Sequence, residues 1–199
     1  MEPASIRTLS RVLERVVEDP EVVSERLLRA HGSANALLGA DANKLSLHAP
    51  PAVVEHLSAV KAWFRQALHT AALEGPCMYT SDSILNYLQF DLSPLRVEKF
   101  RVLYVNANMR LIADDTMGIG NEDGVLASVS EVCRRVLDLS AKYIILAHNH
   151  PGGSAKPSDK DVGFTRRFVD AGRFLDFTVL DHIIIAKEKV VSMKSLNLF

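Results

Sequence analysis

Apolar residues recur with a helical period through the first third of the chain. One face of the first segment carries Ile6, Leu9, Leu13, Val16 and Val17. Pro20 and Pro51 predict the starts of two further helices, because proline is favoured at the first helical position. The predicted helix ends are Gly32, Gly39 and Gly75. We therefore expect a small all-helical unit over residues 1–75, with Trp63 in the core on the inner face of its long last helix.

The pattern changes after Pro94. Residues 100–105 are strand-like, residues 106–108 predict a turn, and a second strand starts near Met109. Residues 129–139 return to the helical period. Tyr143-Ile144-Ile145-Leu146 is a short, wholly apolar run, which is typical of a buried central strand.

A further helix is predicted from Ser158, followed by strands through Val179, through Ile183-Ile184-Ile185 and near Val190. Strands and helices therefore alternate over residues 76–199, which predicts an α/β domain with a mixed sheet.

Composition narrows the choice of partners. Close to half of the 199 residues are apolar and about a quarter are charged, as in globular proteins. The formal net charge of −1 gives no basic excess that would attract nucleic acid or an anionic membrane. No apolar run reaches the roughly 18 residues of a membrane span, and the N-terminus lacks the apolar core of a signal peptide. A cytoplasmic protein without a membrane partner is expected.

The candidate chemistry follows the apolar strand. His148 and His150 lie at i and i+2, so they project to the same side of an extended segment, and Asp161 follows His150 by eleven residues. Histidine nitrogens and a carboxylate oxygen suit Zn²⁺, and three protein ligands leave a fourth position for water. This spacing predicts one catalytic zinc per chain on His148, His150 and Asp161.

Three neighbouring residues have more than one interpretation. Ser158 and Asp161 fit a helix capping box, although a capping serine would also hold its hydroxyl beside the metal. His182 could hydrogen-bond toward the site, but a structural histidine is the favoured interpretation. Asn149 is expected to point away from the metal and to form hydrogen bonds to a loop.

The run His148-Asn149-His150-Pro151, with Pro157-Ser158 and Asp161, resembles the motif of JAB/JAMM (MPN) metalloproteases and, among them, the RadC branch. The resemblance covers about residues 80 to 199. It implies a cytidine-deaminase-like α-β-α sandwich with Zn²⁺ on the three ligands named above. It also implies a glutamate from an early strand as general acid/base, which by position is Glu98, and it assigns oxyanion stabilisation to Ser158. Glu122 and Glu131 are the weaker alternatives to Glu98.

RadC-like chains usually carry an N-terminal helix-hairpin-helix module whose glycine turn contacts DNA phosphates. Here Leu47-His48-Ala49-Pro50-Pro51-Ala52 occupies that turn, and prolines supply no amide hydrogens. Residues 1–75 contain eight Lys and Arg against nine Asp and Glu. The module is therefore degenerate, and we expect a packing or protein-interaction unit rather than a DNA-binding one.

The leading functional hypothesis is a zinc-dependent hydrolase of peptide or isopeptide bonds with a protein or peptide substrate. One alternative is a non-catalytic MPN-type interaction scaffold, and another is a DNA-repair-associated RadC-like protein. A homodimer is compatible with the sequence.

Overall fold

The computed structural model describes residues 3–74, 82–120, 127–187 and 189–199. The chain divides into two compact units, Met1–Ala67 and Leu68–Phe199. The domain boundary predicted at residues 75 and 76 lies outside the described residues and stays a prediction.

Helices build the first unit. They are α1 (Pro3–Leu13), α2 (Pro20–His31), α3 (Ala34–Gly39), α4 (Ala42–Ser46) and the first turns of α5 (Pro51–Glu74). Pro20 begins α2, and Gly32 follows the end of that helix with a φ of +83°, which suits glycine. Each helix contributes apolar side chains to one core, including Leu13, Leu27, Leu28, Leu37, Leu45 and Val53. The all-helical character predicted for this part is confirmed.

The prediction that Trp63 is a core residue is wrong. Its side chain is 72% exposed, and Phe64 beside it is 47% exposed. Both lie on α5, where nearly every turn carries apolar residues. Helical periodicity identifies an apolar face, but it does not reveal whether another element covers that face.

The second unit is built around a five-stranded sheet with the order β2-β1-β3-β4-β5. The strands are β1 (Lys99–Val105), β2 (Leu111–Ile119), β3 (Tyr143–Asn149), β4 (Thr178–Ala186) and β5 (Lys189–Ser192). β3 and β4 are parallel, whereas the other three pairs are antiparallel, so the sheet is mixed as predicted. β3 is central, and every residue after Tyr143 in it is buried.

Helices cover both faces of the sheet. α6 (Asp82–Leu92) and the last turns of α5 pack on one face, here called the α6 face, with Leu103 and Ile145. α7 (Val129–Asp138) and α8 (Asp159–Leu175) cover the opposite face, the α8 face, with Val102 and Leu146. The result is the expected α-β-α sandwich.

The two strands predicted around Val179 and Ile183 are one strand, β4. Ile144 pairs with Val179 and Ile145 pairs with Asp181, so Leu180 is an extra residue in β4. Such a bulge changes which side chains face each side of the sheet. The polar pair Asp181-His182 breaks the apolar run at the same place, which is why the sequence resembles two strands.

No helix among the described residues is long and apolar enough to cross a membrane.

Candidate metal centre

The two histidines lie where β3 ends. His148 is buried on the α8 face and pairs with Phe100 of β1. The backbone N–H of His150 donates to the carbonyl of Ile185 at 2.8 Å, so the extended geometry continues past the strand. Both imidazoles therefore turn to the same side, and their Nε2 atoms are 2.8 Å apart.

Asp161 in the first turn of α8 approaches both histidines. Its Oδ1 lies 3.3 Å from His148 Nε2 and its Oδ2 lies 3.7 Å from His150 Nε2. Burial acts to raise the pKa of Asp161, but the proximity of His148 and the hydrogen bonds from Ser158 outweigh it and lower that pKa well below its usual value. Asp161 is therefore ionised at neutral pH and faces the histidines as a carboxylate.

Glu98 lies immediately before β1 and also approaches His148. Its Oε1 lies 4.0 Å from His148 Nε2, and Glu98, His148 and His150 each offer one ligand atom within 4.8 Å of the others. Residues alternate between the faces of a strand, so Glu98 and Phe100 share the α8 face with His148. Of the two alternatives to Glu98, Glu122 lies outside the described residues, and Glu131 is an exposed residue in the first turn of α7.

Ser158 forms the capping box that the sequence suggests. Its Oγ accepts from the Asp161 N–H at 3.2 Å, while its own N–H donates to Asp161 Oδ2 at 2.7 Å. The hydroxyl also donates to the same Oδ2 at 2.7 Å. Ser158 thus starts α8 and holds the Asp161 carboxylate, and its role toward an oxyanion stays a prediction.

The structure corrects the favoured interpretation of His182. This buried residue contacts His148 directly, with 2.8 Å between His182 Nε2 and His148 Nδ1. Its Nδ1 lies 2.6 Å from the Thr165 hydroxyl. Burial, reinforced by His148, lowers the pKa of His182 well below its ordinary value, so the imidazole is neutral. Its contact lies 34 positions away in the sequence, and no local pattern identifies it.

Thr165 is not among the residues of this site that are predicted from the sequence. It is fully buried in α8, and its hydroxyl donates to the carbonyl of Asp161 at 2.7 Å. The available signal was the spacing of four between Asp161 and Thr165, because residues at i and i+4 lie on the same helix face.

Asn149 points to the α6 face, away from the histidines on either side of it, as predicted. Its Oδ1 accepts from the Lys99 N–H at 2.8 Å, and its Nδ2 donates to the carbonyl of Val97 at 3.1 Å. Lys99 and Val97 flank Glu98. Asn149 therefore joins the strand that carries the histidines to the segment that carries the glutamate.

The donor set fits a zinc ion. The Nδ1–H of His150 donates to the carbonyl of Ser154 at 2.7 Å, which leaves a lone pair on Nε2. His148 Nδ1 is engaged by His182, so its Nε2 also faces the site. Two imidazole nitrogens beside a carboxylate are a donor set of the kind that zinc takes in proteins, and a partner on the far nitrogen of each imidazole is the usual way of orienting such ligands.

Comparison with known proteins identifies the second unit. Residues 78–198 match the family model of the RadC-like JAB domain. The chain belongs to the RadC-like JAB domain family. A UPF0758 protein of Rhodobacter capsulatus is 31% identical over 189 residues, which are 94% of this chain and 87% of the relative. A UPF0758 protein of Neisseria meningitidis serogroup B is 33% identical over 174 residues, which are 86% of this chain and 77% of the relative.

The family membership confirms the resemblance that the histidine motif indicates. The RadC-like JAB domain contains all five predicted site residues, which are Glu98, His148, His150, Ser158 and Asp161. The similarity to the UPF0758 proteins extends beyond this domain into the N-terminal helices, since it spans 94% of the chain in the first relative.

Proposed function

We propose that this RadC-like JAB domain is a zinc-dependent hydrolase of peptide or isopeptide bonds. The observation that carries the proposal is the convergence of the His148 and His150 Nε2 atoms on the Asp161 carboxylate, with Glu98 Oε1 4.0 Å from the same His148 Nε2. A zinc ion held by His148, His150 and Asp161 supplies Lewis-acid polarisation of a carbonyl and activation of water.

Glu98 is the proposed general acid/base. Its side chain is 28% exposed, so the carboxylate can meet both the metal ligands and an incoming substrate. In this role Glu98 takes a proton from the attacking water and delivers it to the leaving amine. The hydrogen bonds between Asn149 and the residues flanking Glu98 hold the backbone on which this transfer depends.

Ser158 is the proposed donor to the oxyanion that develops on the scissile carbonyl. In the structure its hydroxyl donates to Asp161 Oδ2. The catalytic role requires this hydroxyl to rotate toward the substrate, while the capping bond from the Asp161 N–H keeps its oxygen in place. The serine would then serve the fold and the reaction with the same atom.

The first experiment measures the metal content of the full-length purified protein beside His148→Ala. We expect about one zinc per chain in the wild type and its loss in the variant. An absence of zinc from the wild type after incubation with Zn²⁺ at neutral pH would refute the hydrolase and favour the interaction scaffold.

Glu98→Gln then tests the chemistry with a panel of fluorogenic peptides and isopeptide-linked peptides. The variant should retain zinc and lose about 10²–10⁴-fold in activity, the usual contribution of a general acid/base. Glu131→Gln is the matched control, because it neutralises an exposed carboxylate in the same unit and should leave zinc and activity unchanged. Equal activities of Glu98→Gln and wild type would remove Glu98 from the mechanism.

A further inference from the structure

Three buried polar side chains form a chain of hydrogen bonds behind the candidate metal centre. Thr165, His182 and His148 are each at most 2% exposed. The chain begins at the backbone carbonyl of Asp161, passes through the Thr165 hydroxyl and both nitrogens of His182, and reaches His148 Nδ1 over distances of 2.7, 2.6 and 2.8 Å. It therefore starts on one predicted zinc ligand and ends on another.

The direction of these hydrogen bonds is fixed at the Asp161 end. A carbonyl can only accept, so Thr165 donates its single hydroxyl hydrogen to Asp161 and must accept from His182 Nδ1–H. With its hydrogen on Nδ1, the His182 ring has a lone pair on Nε2, which accepts from His148 Nδ1–H. His148 is left with its lone pair on Nε2, the atom that faces His150 and Asp161.

The other tautomer of His182 would have the opposite effect. A hydrogen on His182 Nε2 would point at His148 Nδ1, which would then have to accept. Neutral His148 would carry its hydrogen on Nε2, where it could not ligate a metal. The ligating form of His148 thus depends on a hydroxyl that belongs to neither histidine.

Packing leaves little freedom for the rings to escape this arrangement. The rings of Phe100 and His182 pack edge-to-face, with 6.1 Å between their centroids, and the His182 and His148 ring centroids are 4.8 Å apart. Thr165 is β-branched, and in a helix its hydroxyl is commonly bonded to the preceding turn.

We propose that Thr165 and His182 are positioning residues that select the zinc-ligating tautomer of His148 and thereby set the zinc affinity of the site. The proposal deepens the proposed function and rests on its zinc site. It assigns no contact with substrate to either residue.

The test compares Thr165→Val with Thr165→Ser in the full-length protein. Valine has nearly the same shape but neither donates nor accepts, whereas serine keeps the hydroxyl. We expect the zinc dissociation constant, measured by chelator competition, to rise about 10- to 100-fold in Thr165→Val and to stay near the wild-type value in Thr165→Ser. Nitrogen NMR of the metal-free proteins should show His148 protonated on Nδ1 in the wild type and a shift toward Nε2 in Thr165→Val.

Thr8→Val is the matched control, because Thr8 makes the same bond to the carbonyl four residues earlier, at 2.9 Å, in the helical unit. It should alter neither the zinc affinity nor the tautomer. If Thr165→Val does not fold, His182→Gln replaces it, with His182→Leu as its control. The glutamine amide has no tautomer and can turn its oxygen toward His148, so His182→Gln should bind zinc more tightly than His182→Leu.

The outcomes separate this proposal from the hydrolase. Unchanged zinc affinity and an unchanged His148 tautomer in a folded Thr165→Val variant would overturn the positioning role of Thr165 and His182. That result would not contradict the zinc site itself. A wild type that binds no zinc would overturn the proposed function, while the tautomer of His148 would still decide whether Thr165 controls it.

Discussion

Two clusters of buried and partly buried polar side chains lie on opposite faces of the same sheet. The arginine cluster, on the α6 face, consists of Arg101, Asp91, Asp114 and Tyr87. The histidine cluster, on the α8 face, consists of Glu98, His148, His150 and Asp161. Both involve charged groups near the centre of a domain, where charge is costly unless it is paired.

The arginine cluster is complete in itself. The Arg101 guanidinium donates to Asp114 Oδ1 at 2.9 Å and to the Tyr87 oxygen at 2.9 Å, and it also pairs with Asp91. Burial acts to lower the pKa of Arg101, but the charge and hydrogen bonds of Asp114 outweigh it and raise that pKa. Donors meet acceptors throughout, so this cluster needs nothing from outside the chain.

The histidine cluster has the opposite balance. Two imidazole nitrogens with lone pairs and a carboxylate converge on one point. A group of acceptors without matching donors is stabilised by a bound cation. In this cluster the chain supplies the ligand atoms, and a metal ion would supply the positive charge. Burial and charge therefore do not distinguish a structural cluster from a functional one, whereas the match between donors and acceptors does.

Arg101→Met should have the largest effect on stability. The substitution leaves Asp114 buried without its partner, which typically costs about 3–5 kcal/mol. Urea denaturation measures the loss. The double variant Arg101→Met/Asp114→Asn should recover part of it, because it neutralises the more deeply buried of the two carboxylates that pair with Arg101. Zinc content per folded chain should not change, and a loss of zinc together with stability would mean that the two clusters are not independent.

Tyr87→Phe should change how the stability of the protein depends on pH. Burial, reinforced by the charge of Asp114, raises the pKa of Tyr87 to about 12. The neutral phenol is thus favoured in the folded state. The contribution of Tyr87 to the free energy of unfolding is therefore fully present below about pH 10. It is lost as the pH rises toward 12, by up to about 1.4 kcal/mol per pH unit.

Tyr87→Phe should therefore lose stability less steeply than the wild type between pH 10 and 12. Unfolding in urea at several pH values across this range checks the difference. Tyr104→Phe is the comparison variant, since burial also raises the pKa of Tyr104 but that residue lies on the α8 face. Parallel stability curves for wild type and Tyr87→Phe would contradict the assignment.

Ser158→Ala should have the smallest effect on stability and a separate effect on chemistry. Loss of an N-cap costs about 1 kcal/mol, while loss of an oxyanion donor lowers the rate by about 10²–10³-fold. Ser128→Ala removes the N-cap of α7, which accepts from the Glu131 N–H at 3.3 Å. Both variants should be destabilised to a similar extent, but only Ser158→Ala should lose peptidase activity while retaining zinc. Equal activities would leave Ser158 with its capping role alone.

Much of the second unit could be predicted from local pattern. The wholly apolar run at Tyr143 indicated a central strand because only a strand covered on both faces lacks polar alternation. The shared orientation of His148 and His150 then followed from their spacing of two, because alternate residues of an extended chain project to the same side. These features are encoded within a few neighbouring residues, which is why the sequence alone was sufficient.

Features that depend on distant partners could not be predicted in this way. His182 meets His148 across adjacent strands, and the exposure of Trp63 depends on what covers a helix face. The role of Asn149 depends on the segment before β1, about fifty positions earlier. Local pattern gives the face on which a residue lies, while tertiary structure decides what it meets there.

The bulge at Leu180 determines how a change in the length of β4 would affect His182. Val179 and His182 share the α8 face although three positions separate them, because Leu180 shifts the alternation of β4 by one step. Deletion of Leu180 would put His182 two positions after Val179, so a regular β4 would still hold its imidazole on the α8 face. The bulge thus absorbs one residue of strand length without turning His182 away from His148.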